Sequence, residues 1–300
     1  MLNFNWIKQY WLAKPVLGIE IHHTAVHVVE LTNRPKQGHI RQQCSVALPA
    51  ELQNEAQLLA VAPVAALLKQ ALVTANIKTT RVVTCVPMAA VMFKTLTLPA
   101  RFTHTAIKQH LKTSAERYFS QPLTDIFYDF TVLPSVNVMT EKQIRLIAAR
   151  RSLVQNRVDI LRAAGLHVTA VDVDALALAR VVMQLSAKNH CWVIITAEKI
   201  LCLEIVNHAI NHVYEERYDN TNAEEALLSL LWRQLPRTMT TEVSFERLSL
   251  LGELINIALM EKLQAVVSVP IEIIPFPLIL PNKQRLAEFN QLISYGLAIW

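Results

Sequence analysis

The chain has 300 residues, 52% apolar and 18% charged, enough for roughly two domains at about 100–200 residues each, and this balance excludes disorder. No uncharged run approaches the roughly 18 residues that a spanning helix needs, and the five glycines all stand alone where average usage of about 7% would give about twenty, which argues against glycine-rich phosphate loops. Residues 1–171 carry 19 Lys and Arg against 9 Asp and Glu, and residues 172–300 carry 10 against 15, but the basic groups are scattered, so the net charge of +5 does not mark a nucleic-acid binder.

The opening stretch 1–15 holds Trp6, Tyr10 and Trp11 without a continuous apolar core or a cleavage site, so it reads as a segment packed on the body rather than a signal peptide. Period-2 alternation then predicts strands at Val16 to Ile21, Ala25 to Leu31 and His39 to Leu48. A helix is expected from Glu55 to Thr74, with Pro63 near its first turn, followed by a doubly buried strand from Arg81 to Val86. The same order returns at Cys191 to Thr196, Ile200 to Val206 and Ala209 to Tyr218. A helix over about Asn222 to Gln234, a strand near Val243 to Leu248, a helix from about Gly252 to Leu263 and a strand from Ile271 to Ile274 complete it. The chain thus contains two β-β-β-α-β units.

Between them lies an inserted block. Strands are predicted at Val91 to Leu98, Ile126 to Leu133 and Gln143 to Ala149, with helices from Thr103 to Phe119, capped by Thr103, and from Ser152 to Ala164, closed by Gly165. His167 to Val173 resumes a buried strand, and Asp174 serves as the N-cap of a helix reaching Leu185 rather than as half of a metal-binding D-x-D with Asp172. Cys44, Cys85, Cys191 and Cys202 lie far apart and read as buried thiols. His22 and His23 are strand neighbours expected to point to opposite faces, and no metal site is predicted.

Several strings carry a family resemblance. Residues 16–31, V-L-G-I-E-I-H-H-T-A-V-H-V-V-E-L, resemble the opening phosphate hairpin of the type IV pilus assembly protein PilM family, G-I-D-I-G-[ST]-x-x-V-K-x-V-E-L. Residues 121–133, Q-P-L-T-D-I-F-Y-D-F-T-V-L, resemble its F-P-L-[DE]-x-[VA]-x-x-D-[FY]-x-[VI]-L, and residues 161–174 resemble its L-x-x-A-G-L-x-x-x-A-V-D-V-[ED]. Near the end, 270–276 and 294–299 are similar to its closing strand and helix. The resemblance implies an α/β, actin-like fold related to FtsA, built from duplicated ribonuclease H-like units with an inserted β-α-β-β-α subdomain and a reduced second half. The implied division is an N-terminal segment 1–15, a first subdomain at 16–88 and 167–186, the inserted one at 89–166, and a second, shortened one at 187–300.

The departures bear on function. Where the family reads D-I-G, this chain has Glu20, Ile21 and His22, with Gly18 and Thr24 kept nearby; in the second hairpin it has Ile194, Ile195 and Thr196. Around the family's L-S-G-G-G only Gly252 remains, with Leu250 and Leu251 replacing glycines. These degenerate loops predict no cofactor, and Leu250, Leu251, Ile194 and Ile195 are expected to be buried. The favoured reading is a non-enzymatic scaffold, a pseudo-ATPase. The resemblance places it in the cytoplasm, peripheral at the inner-membrane face, where it binds the N-terminal tail of a PilN-like membrane protein and engages motor ATPases. The tail is expected in a groove between the first and inserted subdomains, with Phe93, Tyr118, Phe119, Phe127 and Phe130 as candidate contacts and core packing as the competing role for at least half. The rivals are a working ATPase using ATP with Mg, and a type II secretion arm that recruits a motor ATPase.

Overall fold

The computed structural model describes residues 16–32, 38–53, 58–133, 140–186, 189–196, 198–206, 209–218, 225, 226, 228, 229, 246–252, 255, 257–265, 267, 269–280, 285, 286 and 288–300. The segment 1–15 and most of the helix expected from Asn222 to Gln234 lie outside them; of that helix, 225, 226, 228 and 229 are described and helical. By its contacts the chain divides into one unit of Met1–Ala177 with Ile293–Trp300, and another of Leu178–Leu292.

In the first unit, β1 (Val16–Ile21), β2 (Ala25–Leu31) and β3 (Ile40–Ala47) form an antiparallel meander, and β4 (Arg81–Val86) and β8 (His167–Val173) extend it in parallel, giving the order β3-β2-β1-β4-β8. Alternation along β1 sends Leu17, Ile19 and Ile21 to the face covered by α1 (Val61–Thr74) and α3 (Arg151–Ala163), where they pack with Leu68, Leu72, Ile160 and Leu161. Helix α1 begins at Val61, six residues later than its apolar spacing suggested. This start puts Pro63 in the first turn, where its missing N–H costs nothing; a start at Glu55 would have set the ring against the preceding turn. Leu59 is still buried, held from outside the helix by Asn156, whose Oδ1 accepts from Leu59 N (3.1 Å) and whose Nδ2 donates to Leu59 O (2.8 Å).

The inserted module is a three-stranded antiparallel sheet, β5 (Val91–Pro99), β7 (Glu141–Arg150) and β6 (Ile126–Val132), in the order β5-β7-β6. Helix α2 (His104–Ser114) covers one face, with Thr103 Oγ1 accepting from Ala106 N as its cap, and the expected run to Phe119 tightens after Ser114 into a single 3-10 turn. Helix α4 (Asp174–Leu185) starts at Asp174, whose carboxylate accepts from Ala175 N and from Met88 N. Asp174 is thus the first residue of the helix rather than its N-cap, and its oxygen is spent on these two backbone amides.

In the second unit, β9 (His190–Ile195), β10 (Lys199–Val206) and β11 (Ala209–Arg217) are antiparallel, and β12 (Arg247–Gly252) and β13 (Ile271–Ile274) add in parallel. The order β11-β10-β9-β12-β13 repeats that of the first sheet strand for strand. Helix α5 (Ile257–Gln264) packs Leu259 and Leu263 against Val193, Ile195, Leu248 and Leu250. Two predicted bounds move. The strand placed near Val243 to Leu248 is β12, four residues further on, and Gly252 ends this strand instead of opening a helix. Leu248, Ser249, Leu250 and Leu251 are buried between β9 and β13, so both parities are buried and alternation gives no boundary. A short pair, β14 (Leu278–Ile279) with β15 (Arg285–Leu286), follows, and α6 (Leu292–Ala298) closes the described chain. Residues 293–300 group with the first unit, although chain order had carried them with the second half.

Candidate functional site

Two sets of residues bear on function: the hairpin turns at the ends of β1 and β9, and the face of the inserted sheet that α2 leaves uncovered. In the first hairpin the turn at 22–24 closes with His22 N donating to Ala25 O at 2.9 Å. His22 Nδ1 lies 2.8 Å from Thr24 Oγ1, and Thr24 N donates to the same nitrogen at 3.4 Å. In the second, Thr196 N and Thr196 Oγ1 both donate to Lys199 O, at 2.9 and 3.0 Å. Thr196 Oγ1 in turn accepts from Glu198 N (3.3 Å) and Lys199 N (3.1 Å), and Tyr218 Oη donates to Thr196 O. His22 and Thr196 stand where the resemblance places glycine, and each folds its side chain onto its own turn. The amides of Thr24, Glu198 and Lys199 are thereby engaged; an anion-gripping turn keeps such groups open. The turn also redirects His22 and His23, whose rings lie 4.1 Å apart between centroids, so the expected divergence of strand neighbours does not hold there.

The remaining loop residues serve packing. A Cβ on Gly18 would run into the backbone of α6, at Ser294 O and 2.6 Å from Ala298 N. Ser294 Oγ donates to His27 O at 2.9 Å and pins the helix there. Gly252 pairs with Ile195 in the β9–β12 ladder, and a Cβ on it would meet Ile195 O and lie 2.9 Å from Ile195 Cβ. Ile194, Ile195, Leu250 and Leu251 are at most 2% exposed, as their bulk predicted.

Glu20 is also buried, and its charge acts on a residue that the sequence reading did not single out. Arg157 on α3 is 1% exposed; burial pushes its guanidinium down to about 10, while Glu20 acts to hold its proton. Cys85 is pushed well up by burial and then by Glu20, Asp174 and Asp172, which leaves the thiol unreactive. The signal for Arg157 was present: it is spaced four residues from both Leu153 and Leu161, on the apolar stripe of α3.

The five aromatic candidates divide between the two faces of the module. Phe119 and Phe130 are each 8% exposed and belong to the core beneath α2 with Ile107, Leu111, Ile144 and Leu146; Tyr118 packs against that core, its hydroxyl 2.9 Å from His110 Nε2. These three are packing residues. Phe93 and Phe127 are half-buried on the opposite face. There Phe93, Ile147 and Asp129 form one cross-strand row and Val91, Ala149 and Phe127 the next. Val91 and Ala149 of the second row join Val86, Leu153, Val154 and Val171 in a small cluster that ties the module to the first subdomain. Arg151 stacks its guanidinium 4.1 Å from the Phe127 ring centroid. Burial pushes Arg145, on this face, below its ordinary value, and raises Asp129, although Phe130 N–H partly offsets the latter.

No helix among the described residues is long and apolar enough to cross a membrane. The fold has solved relatives. A structure described as a PilM-PilN type IV pilus biogenesis complex is similar over 95% of this chain and 97% of that one, with TM-score 0.71 and 21% identity. The cytoplasmic domain of EpsL, an inner-membrane component of the type II secretion system of Vibrio cholerae, is similar over 94% of each chain, with TM-score 0.53 and 13% identity. A Bacteroides thetaiotaomicron protein described as having an actin-like ATPase fold matches over 91% of this chain and 93% of that one, with TM-score 0.51 and 11% identity. The two sheets of repeated strand order are therefore those of the actin-like fold. The model of one family, described as type IV pilus assembly protein PilM, matches residues 18–237, a span that takes in both hairpin turns and the whole inserted module, and the chain belongs to that family.

Proposed function

We propose that this chain is a nucleotide-independent scaffold of a type IV pilus assembly platform, peripheral at the inner-membrane face, that holds the cytosolic tail of a PilN-like membrane protein on its inserted module. The observation that carries the reading is the pair of self-closed hairpins, in which His22 and Thr196 occupy the groups that would face a phosphate. The family supports the pilus role, and the similar solved structure described as a PilM-PilN complex supports the choice of partner. Phe93 and Phe127 are the anchors that remain once the core aromatics are set aside.

Titration calorimetry with Mg-ATP is expected to show no heat at micromolar to millimolar nucleotide. Micromolar binding would overturn the nucleotide-independent reading and favour a working ATPase. A fluorescently labelled peptide of the partner's N-terminal tail is expected to bind in an anisotropy titration, and Phe93→Ala and Phe127→Ala are each expected to weaken it by about 2 kcal/mol, roughly thirtyfold. If both variants stay folded and bind like the wild type, this face is not the tail site.

A further inference from the structure

A strand at the edge of a sheet turns alternate N–H and C=O groups away from its neighbour, and that row pairs with another strand unless something blunts it. The inserted module has two such edges, β5 and β6, and they differ. On β6, Leu133 N donates to Gln143 O, so the odd residues face β7 and Ile126, Tyr128, Phe130 and Val132 turn their backbone outward. Two of those groups are closed by side chains: Ile126 O accepts from Arg151 Nη2 at 3.4 Å, and Phe130 N donates to Asp129 Oδ1 at 2.9 Å.

On β5, Ala100 N donates to Thr140 O, and the same alternation leaves Val91, Phe93, Thr95 and Thr97 facing outward. The strand pairs with β7 over nine residues without a bulge, Thr95 and Thr97 are exposed, and although Val91 N donates to Met88 O, no hydrogen bond among the described residues closes the outward groups of Phe93, Thr95 or Thr97. We propose that the outer edge of β5 is a docking ledge on which an extended segment of a partner protein adds as a fourth strand.

The ledge also specifies its occupant. Its one charge is Lys94, whose Nζ donates to Tyr118 O at 3.2 Å, and the outward residues are otherwise uncharged, with Phe93 on one face and Leu96 on the other. A ledge of that kind matches a short run of aliphatic and β-branched residues without Lys or Arg, since a basic residue set on it would find no opposite charge on β5. The module as a whole carries eleven Lys and Arg against five Asp and Glu over 89–166, so a basic run is disfavoured further. A second copy of β5 is the poorer fit, because a lysine in mid-edge keeps identical edges apart. The inference rests on the reading that this chain holds an extended tail, and it adds the surface and the mode of pairing for the stretch beside Phe93; Phe127 lies on β6, on the far side of β7, and meets a different stretch of the same tail.

The test uses the full chain and a synthetic peptide with the sequence of the partner's N-terminal tail. Thr95→Pro removes an outward N–H and leaves the β7 ladder untouched; Val132→Pro does the same on the β6 edge. Thr95→Pro is expected to weaken peptide binding about tenfold or more, and Val132→Pro to leave it within about twofold. In the wild type, hydrogen exchange at the amides of Phe93, Thr95 and Thr97 is expected to slow on adding peptide, a readout that holds even if Thr95→Pro folds poorly. Binding by the wild type with no protection at those amides and no loss in Thr95→Pro overturns the ledge while the scaffold reading stands. No binding by the wild type overturns the tail reading and the ledge together. A wild-type dimer that Thr95→Pro dissociates, seen by light scattering, shows that a second copy takes the edge and overturns the proposal.

Discussion

Replacing Gly18 by alanine is expected to destabilise the protein by about 3 kcal/mol or more, a fall in melting temperature on the order of 10 °C. The reason is packing. Gly18 sits between Val29 on β2 and Val83 on β4, and the backbone of α6 crosses directly over it. A methyl group there would meet Ser294 O and Ala298 N, which are main-chain atoms that cannot rotate aside as a side-chain tip would. The helix would have to lift, breaking the Ser294 bond to His27 O and opening the small cluster of Val83, Cys85, Ala170, Ala177 and Leu297. Gly38→Ala is the matched control, since its Cβ would meet the Leu31 side chain at 3.3 Å and Thr32 O at an ordinary 3.5 Å, and should change stability by less than about 1 kcal/mol. Circular-dichroism melts of the two variants decide the matter: an unchanged Gly18→Ala melt would mean that α6 does not lie where it is described. Because the cause is packing, the loss should be the same with or without Mg-ATP.

Glu204→Gln is expected to stabilise the protein above neutral pH and to do little below pH 5. Glu204 is 1% exposed on β10, opposite Cys191 and His212, on the face that packs with Val193, Leu248 and Leu259. Its Oε2 has a long bond from Asn211 Nδ2, 3.5 Å, and its Oε1 has no partner among the described residues. Burial pushes this carboxyl up to about 7, with Asn211 acting weakly the other way. The unfolded chain loses the proton near the ordinary 4.5, so between about pH 4.5 and 7 the folded state binds more protons than the unfolded one and stability falls as pH rises. Glutamine removes that slope. The gain at pH 8 should be roughly 2–3 kcal/mol, read from urea melts at pH 5 and pH 8. Equal effects at both pH values would show that the carboxylate is solvated.

Strands β1 and β10 could be read from alternation because each keeps one parity apolar, Leu17, Ile19 and Ile21 in the first and Leu201, Leu203 and Ile205 in the second. The same parity rule held unused information about the inserted module. Phe127 shares its parity with Asp129 and Thr131, and Phe93 with Thr95 and Thr97, whereas Phe130 follows Ile126 and Tyr128. Polar company marked Phe93 and Phe127 as standing opposite the core. Strand β12 was misplaced for the reverse reason, since burial on both faces erases the parity. The loss of glycine at His22 and Thr196 was visible, but the bonds by which those residues close their own turns depend on turn geometry that no spacing encodes. The electrostatic influence of Glu20 on Arg157 and the seat of α6 on Gly18 link residues more than 130 positions apart. A local pattern contains no trace of such meetings.

Helix α6 has a consequence for how the protein is made. The first unit consists of Met1–Ala177 and Ile293–Trp300, so all of Leu178–Leu292 is synthesised before its last piece exists. At about 5–20 residues per second that delay is on the order of ten seconds on the ribosome, during which Val83, Cys85, Ala170 and Gly18 have no helix over them. The second unit, whose strands pair without outside segments, can close during that interval. The nascent first unit therefore waits with an apolar seam uncovered until its closing helix emerges.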